Sequence, residues 1–233
     1  MGLEEAVNML EFTVSQKVLS LGIRVAGLLV EDINNDPANI AIEGLRCKIA
    51  DRLKRELTPQ SIKNDPILAG FRSLHEKIGR SNRRFPAASE SLLNLFIKKD
   101  LIPKINTVVD IYNLVSLETR LSLGAHDTTK INGNVTLRMT NGNERFEPLG
   151  SISPIKIDAG EYCYIDDSNE ILCRLEHKQV EKTKVTAETR SCFFIIQGNM
   201  ETPENFLKQS LERLIDLLSE HCGGTVKKEW IFS

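Results

Sequence analysis

The chain has 233 residues, 41% of them apolar and 27% charged, with 30 lysines and arginines against 32 aspartates and glutamates. That balance belongs to a soluble globular protein long enough to bury a proper core, and excludes disordered and collagen-like chains. A net charge of −2 gives no whole-molecule attraction to nucleic acid, so any phosphate contact has to come from a local basic patch.

Residues 12–33 hold two β-favouring stretches around Gly22, of which Ile23-Arg24-Val25-Ala26-Gly27-Leu28-Leu29-Val30 is the better strand. The apolar run from Val18 to Val30 is interrupted by Arg24 and is too short to span a bilayer. No cationic leader precedes it, and Ala6 stands where a myristoylation signal wants a hydroxyl residue, so a cytoplasmic protein with no membrane partner is expected. After the breaker Asn34-Asn35-Asp36-Pro37, the spacing of Ile42, Leu45, Ile49 and Leu53 predicts a helix from Ala38 to about Leu57. Asp65-Pro66 starts another, a cap acceptor followed by proline in the first turn, running to about Ile78 and stopping at Gly79. A helix from Ala87 to Lys99 turns Leu92, Leu95 and Phe96 inward, and Asn106, an amide suited to capping, opens the next.

From Leu121 the texture changes to strands. Residues 134–140 alternate, and Asn141-Gly142 signals a hairpin turn. Residues 162–165 and 170–175 read as strands joined by an Asp-Asp-Ser-Asn turn, and 192–197 as another. A last helix runs from Thr202 to about His221, stops at Gly223-Gly224, and leads into a closing strand over 226–232. With no repeat and no tether, the expectation is one α+β domain over 1–233. It has a β-rich core of sandwich-like sheets flanked by helices, a helical N-terminal half and a C-terminal helix.

Five cysteines, Cys47, Cys163, Cys173, Cys192 and Cys222, are odd in number and show no metal-ligand spacing, which predicts reduced, mostly buried thiols. There is no His-x-x-x-His, no Cys-x-x-Cys and no phosphate-binding glycine loop, so neither a metal nor any other cofactor is expected. No Ser-His-Asp or Cys-His signature is present. The densest positive cluster is Lys77-Ile-Gly-Arg80-Ser-Asn82-Arg83-Arg84-Phe85, at a predicted helix end. Its arginines suit phosphates and Phe85 suits a stacked base; it equally fits a solvated loop whose cations complement the helix dipole. His75 lies one turn earlier.

The most informative segment is NTVVDIYNLVSLETRLSLGAHD, from Asn106 to Asp127. Asp110, Asn113 and Ser116 recur every three residues and share one helical face. The segment resembles the VDVTNYVMLE…GQPLHAFD run of the B3/B4 tRNA-binding domain, the editing domain of the phenylalanyl-tRNA synthetase beta subunit. Without a gap, Val109-Asp110-Ile111 overlies VDV, Asn113 overlies the Asn of TNY, and Asp127 overlies the last Asp. Upstream, Pro86 to Lys104 resembles the family's PSPxWLxxRLxxxGxxP lead-in, and similarity fades out near Asn199. On this resemblance residues 85–233 form the family core and residues 1–84 an elaboration, in a free-standing relative of the synthetase domain.

The resemblance implies hydrolysis of mischarged aminoacyl-tRNA in trans, with the tRNA acceptor end as partner and a synthetase as a further one. Asn113 and His126 are then the catalytic candidates. The family histidine is replaced by Gly124, and His126 comes two positions later on the same strand face. Asp110, Asp127, Gln179 and Gln197 are substrate-binding candidates, together with Tyr112, which stands where the family has Thr. Lys77, Arg80, Asn82, Arg83, Arg84 and Phe85 are the tRNA-binding candidates. Asp110 and Asp127 also fit as helix and turn caps, and the run 176–184 as a solvated hairpin. A non-catalytic RNA-binding module and a binder of a small amino-acid-like molecule are the alternative functions.

Overall fold

Of the two apolar stretches around Gly22, only the second becomes a long strand. In the computed structural model, which describes residues 9–36 and 40–233, the first yields β1 (Phe12–Val14) and a single helical turn, α1 (Gln16–Leu19). The second is β2 (Arg24–Glu31), where β-branched and leucine side chains are buried on both faces. The N-terminal start and the first two residues of the helix expected from Ala38 lie outside the described residues. That helix is seen as α2 (Glu43–Glu56), after a short 3-10 turn over Ile40–Ile42.

Local signals fix the next helices. Thr58 and Ser61 form a reciprocal capping box that starts α3 (Pro59–Asn64), an element the apolar spacing does not announce. Asp65 Oδ1 accepts from the Leu68 amide at 3.0 Å and opens α4 (Pro66–Lys77). α5 (Ala88–Lys99) ends where Asp100 takes a left-handed conformation. Asn106 caps α6 (Thr107–Thr119) by accepting from the Val109 amide at 3.0 Å, and α6 is buried from Thr107 to Leu117.

The strands that follow are β3 (Ser122–Asp127), β4 (Val135–Met139), β5 (Tyr162–Asp166), β6 (Ile171–Arg174), β7 (Lys178–Gln179) and β8 (Cys192–Gly198). α7 (Glu204–Cys222) and the edge strand β9 (Thr225–Phe232) close the chain. One sheet has the order β1-β4-β5-β6-β7, the other β3-β8-β2-β9. The turn at Asn141-Gly142 is present, with Gly142 at φ +90° and both amides bonded to the Glu144 carboxylate. It does not make a hairpin, however: β4 pairs with β5 only after the excursion over residues 140–161, because the pairing is decided by distant residues.

Alternation along β8 shows how the layers stack. Phe193 and Ile195 point into a core between the two sheets, shared with Phe12, Val25 and Tyr164. Cys192, Phe194 and Ile196 point the other way, into a core shared with α2, α6 and α7. The described chain is thus an α+β stack of sheet, sheet and helices, and β2 sits inside it although it precedes residue 85.

Candidate functional site

A cavity of about 320 Å³ opens where α5 and α6 meet β3, β5 and the end of the five-stranded sheet. Its walls are mainly apolar: Leu92 and Leu95 from α5, Leu123 from β3, Leu149 from the 140–161 excursion, and Ile195 from β8. Four predicted residues stand in the wall, namely Tyr112, Asn113, Gln179 and Gln197. Asn113 is 9% exposed, and its amide makes no hydrogen bond to any other described residue, so it faces the cavity with both donor and acceptor free. Gln179 lies over Gly124. A Cβ built on residue 124 would overlap Gln179 Nε2, so any larger residue there makes the flexible end of that side chain swing aside.

The floor is a buried polar chain. Glu176 Oε2 accepts from Tyr162 Oη at 2.6 Å and from Gln197 Nε2 at 3.0 Å, while Tyr164 Oη donates to Gln197 Oε1 at 2.6 Å. His75 Nε2 sits 2.6 Å from Glu176 Oε1, a close ion-pair approach whose alignment for a hydrogen bond is poor. Burial works to lower the pKa of His75, but Glu176, with help from Asn82, outweighs it and holds the imidazole above its ordinary value. Cys173 also lines the cavity, and burial pushes its thiol up and keeps it protonated.

Three predicted site residues do not reach this cavity. His126 shares the strand face of Gly124, as the spacing predicts, but the 180–185 segment covers it. It is 1% exposed, its Nδ1 is 2.7 Å from Thr183 Oγ1, and burial lowers its pKa to about 3, so the ring is neutral and sealed. Asp110 is held 2.6 Å from Arg46 in a buried ion pair and accepts from the Ile105 amide; burial still raises its pKa. Asp127 accepts from Thr129 and from Thr189 Oγ1, capping the turn over Thr128–Lys130.

The basic cluster is divided. Lys77 Nζ reaches the Leu21 carbonyl, Arg80 is 2.6 Å from the buried Glu161, and Asn82 spans His75 Nδ1 and the Arg72 carbonyl. Phe85 is 8% exposed, with the Arg84 and Arg174 guanidinium groups 5.3 and 4.5 Å from its ring centroid, so it is not free to stack on a base. Arg83 and Arg84 remain exposed, and Arg83 has no bonding partner among the described residues. This loop borders the cavity: the Phe85 ring meets His177, a wall residue, edge-on at 5.6 Å.

The B3/4 domain family model matches residues 74–223. The chain belongs to the B3/4 domain family. The match excludes β1, β2 and β9 but contains every residue of the cavity wall and the whole basic loop. A curated relative, the phenylalanine–tRNA ligase beta subunit of Fusobacterium nucleatum, is 32% identical over 109 residues, which cover 46% of this chain and 13% of that protein. Among crystal structures, an N-terminal fragment of the phenylalanyl-tRNA synthetase beta subunit from Pyrococcus horikoshii shares the fold. The TM-score is 0.51 at 14% identity, over 97% of this chain and 55% of that one. The chain thus spans 13% of the length of its curated relative and about half of the solved fragment.

In this B3/4 domain the run after β6 contributes more than a solvated hairpin. Glu176, His177 and Lys178 all line the cavity, beside Gln179. Composition marks that run only as polar. The one local hint is that Glu176 and His177 directly follow a buried strand, where a solvated loop need not place them.

Proposed function

We propose that this B3/4 protein binds the acceptor end of a tRNA and hydrolyses the ester of an amino acid wrongly attached to it. Family membership and the named activity of the curated relative support a tRNA-related role. The observation that carries the reading is the meeting of two features: an apolar cavity, with Asn113 unpaired in its wall, and a loop carrying the exposed Arg83 and Arg84 at its border. At about 320 Å³ the cavity is at the small end of ligand sites, in keeping with one amino-acid side chain.

An aminoacyl ester is already activated, so holding it beside a water and stabilising the oxyanion accounts for the reaction. Amide donors at Asn113 and Gln179 supply that stabilisation, and the exposed Lys178 ammonium at the rim suits a nearby phosphate. The test is ester loss from a panel of tRNAs each charged with a non-cognate amino acid. Wild type accelerates loss from at least one, and Asn113→Ala cuts that rate by about 100-fold, the usual weight of one oxyanion donor, with the melting temperature unchanged. No acceleration on any member refutes the reading.

Binding without hydrolysis is the second reading, favoured by the sealing of His126 and by the bonds from Tyr162 and Gln197 that Glu176 Oε2 already accepts. It predicts salt-sensitive tRNA binding and an unaltered ester lifetime.

A further inference from the structure

We propose that His177 is the general base of this B3/4 domain, an inference that rests on the deacylase reading above. Of the four histidines, His177 is the one that lines the cavity. His126 is sealed beneath Thr183, and His75 lies behind Glu176. Of the Glu176 carboxylate, Oε2 already accepts from Tyr162 and Gln197, and Oε1 lies against His75.

The geometry also decides the tautomer. His177 Nδ1 lies 2.7 Å from the Pro86 carbonyl oxygen, which can only accept, so the hydrogen is on Nδ1 and Nε2 keeps its lone pair. Two further contacts hold the ring in place. Phe85 packs at 83° to it, and the Ala88 amide donates to the Glu176 carbonyl at 2.9 Å, pinning the two backbone segments together. A base whose orientation is fixed by a second partner on its far nitrogen is the arrangement that proton abstraction needs.

In the reaction, Nε2 takes a proton from a water as the water oxygen attacks the ester carbonyl carbon, and the carbonyl oxygen becomes the oxyanion. The carbon–oxygen bond to the ribose then breaks, and the imidazolium returns the proton to the leaving ribose oxygen. Products are the free amino acid and a tRNA with a free terminal hydroxyl.

The groups facing His177 are Glu176 and Lys178 on its own segment, His75 from α4, and Arg84 and Arg174 across the Phe85 ring. Burial lowers its pKa, and His75 and Lys178 add to that against the opposing pull of the Pro86 carbonyl and Glu176. The free base therefore predominates at neutral pH.

The experiment is single-turnover hydrolysis of mischarged tRNA from about pH 3.5 to 8, with wild type, His177→Asn and His177→Ala. Wild type loses rate along an acid limb whose midpoint lies below about 6.5, the ordinary histidine value, because burial lowers the pKa of His177, and is flat above neutrality. His177→Asn keeps the bond to Pro86 but loses about 100-fold or more, the usual weight of a general base, together with the acid limb. Millimolar imidazole restores part of the His177→Ala rate, which a misfolded protein cannot show. A His177→Asn rate within about threefold of wild type, or a flat wild-type profile, overturns the assignment while leaving the deacylase reading in place. A wild type that releases no amino acid from any charged tRNA overturns both.

Discussion

Replacing His75 with glutamine tests the charge balance beneath the cavity. The variant keeps a neutral polar side chain but removes the positive partner of Glu176, and both members of the pair are almost fully buried, at 1% and 2% side-chain exposure. Breaking a buried pair by removing one partner costs about 3–5 kcal/mol. Bonds from Tyr162 and Gln197 survive on the other oxygen, which places the expected cost near the lower end, about 3 kcal/mol. For a domain of this size, where 1 kcal/mol moves the melting temperature by about 2–4 °C, the loss is about 6–12 °C. Because the pKa of His75 is raised in the folded state, its stabilisation is fully present below the unfolded value of about 6.5 and disappears as pH rises through the folded value. Sealed and neutral, His126 contributes the opposite slope, losing stability as pH falls below about 6.5, but it does so in both proteins and cancels in their difference. Thermal melts followed by circular dichroism between about pH 5.5 and 9 therefore give a gap between wild type and His75→Gln that is widest at the acid end. A gap under about 2 °C near pH 6, or one that widens with rising pH, would refute this account of the pair.

Asp110→Asn should lower stability by less than about 3 kcal/mol, the lower cost of a fully broken buried pair, because Arg46 keeps Glu43 and the Pro103 carbonyl, and should leave ligand binding in the cavity unchanged when measured by calorimetry. Arg83→Ala should weaken tRNA binding and reduce the slope of log affinity against log salt by about 1; an unchanged slope removes Arg83 from the interface. Gly124→Ala should cost about 1 kcal/mol, the low end for overpacking, because only the mobile end of Gln179 has to move, and under about 0.5 kcal/mol when introduced beside Gln179→Ala. Additive effects in that double-mutant cycle would show that the two positions are not in contact.

Much of the helical half was legible because its signals are local. Asp65-Pro66 and Asn106 announce their helices through caps that need only the next few residues, and Asn113 follows from helical spacing once that start is fixed. The capping box at Thr58 and Ser61 carried the same kind of signal for α3, in a stretch too short for apolar periodicity to register. Where partners are distant in the chain, the sequence is silent. Nothing near Asn141-Gly142 says that β4 waits until Tyr162 for its neighbour. Periodicity places His126 on the correct strand face, but its cover comes from Thr183, fifty-seven positions away. Phe85 reads as a stacking platform until Arg174 is found on its ring, and His177 reads as one more polar loop residue until Pro86 is found to accept from it.

The cavity wall is assembled from seven separated stretches of chain, between Ala88 and Gln197, drawn from both sheets and two helices. No short fragment can reproduce it, and partial unfolding of any one layer abolishes it. Occupancy and global folding are therefore thermodynamically linked: a ligand present at 100 times its dissociation constant would raise the stability of the whole domain by about 2.7 kcal/mol. A rise in melting temperature with added compound thus identifies occupants of this space whatever chemistry they undergo there.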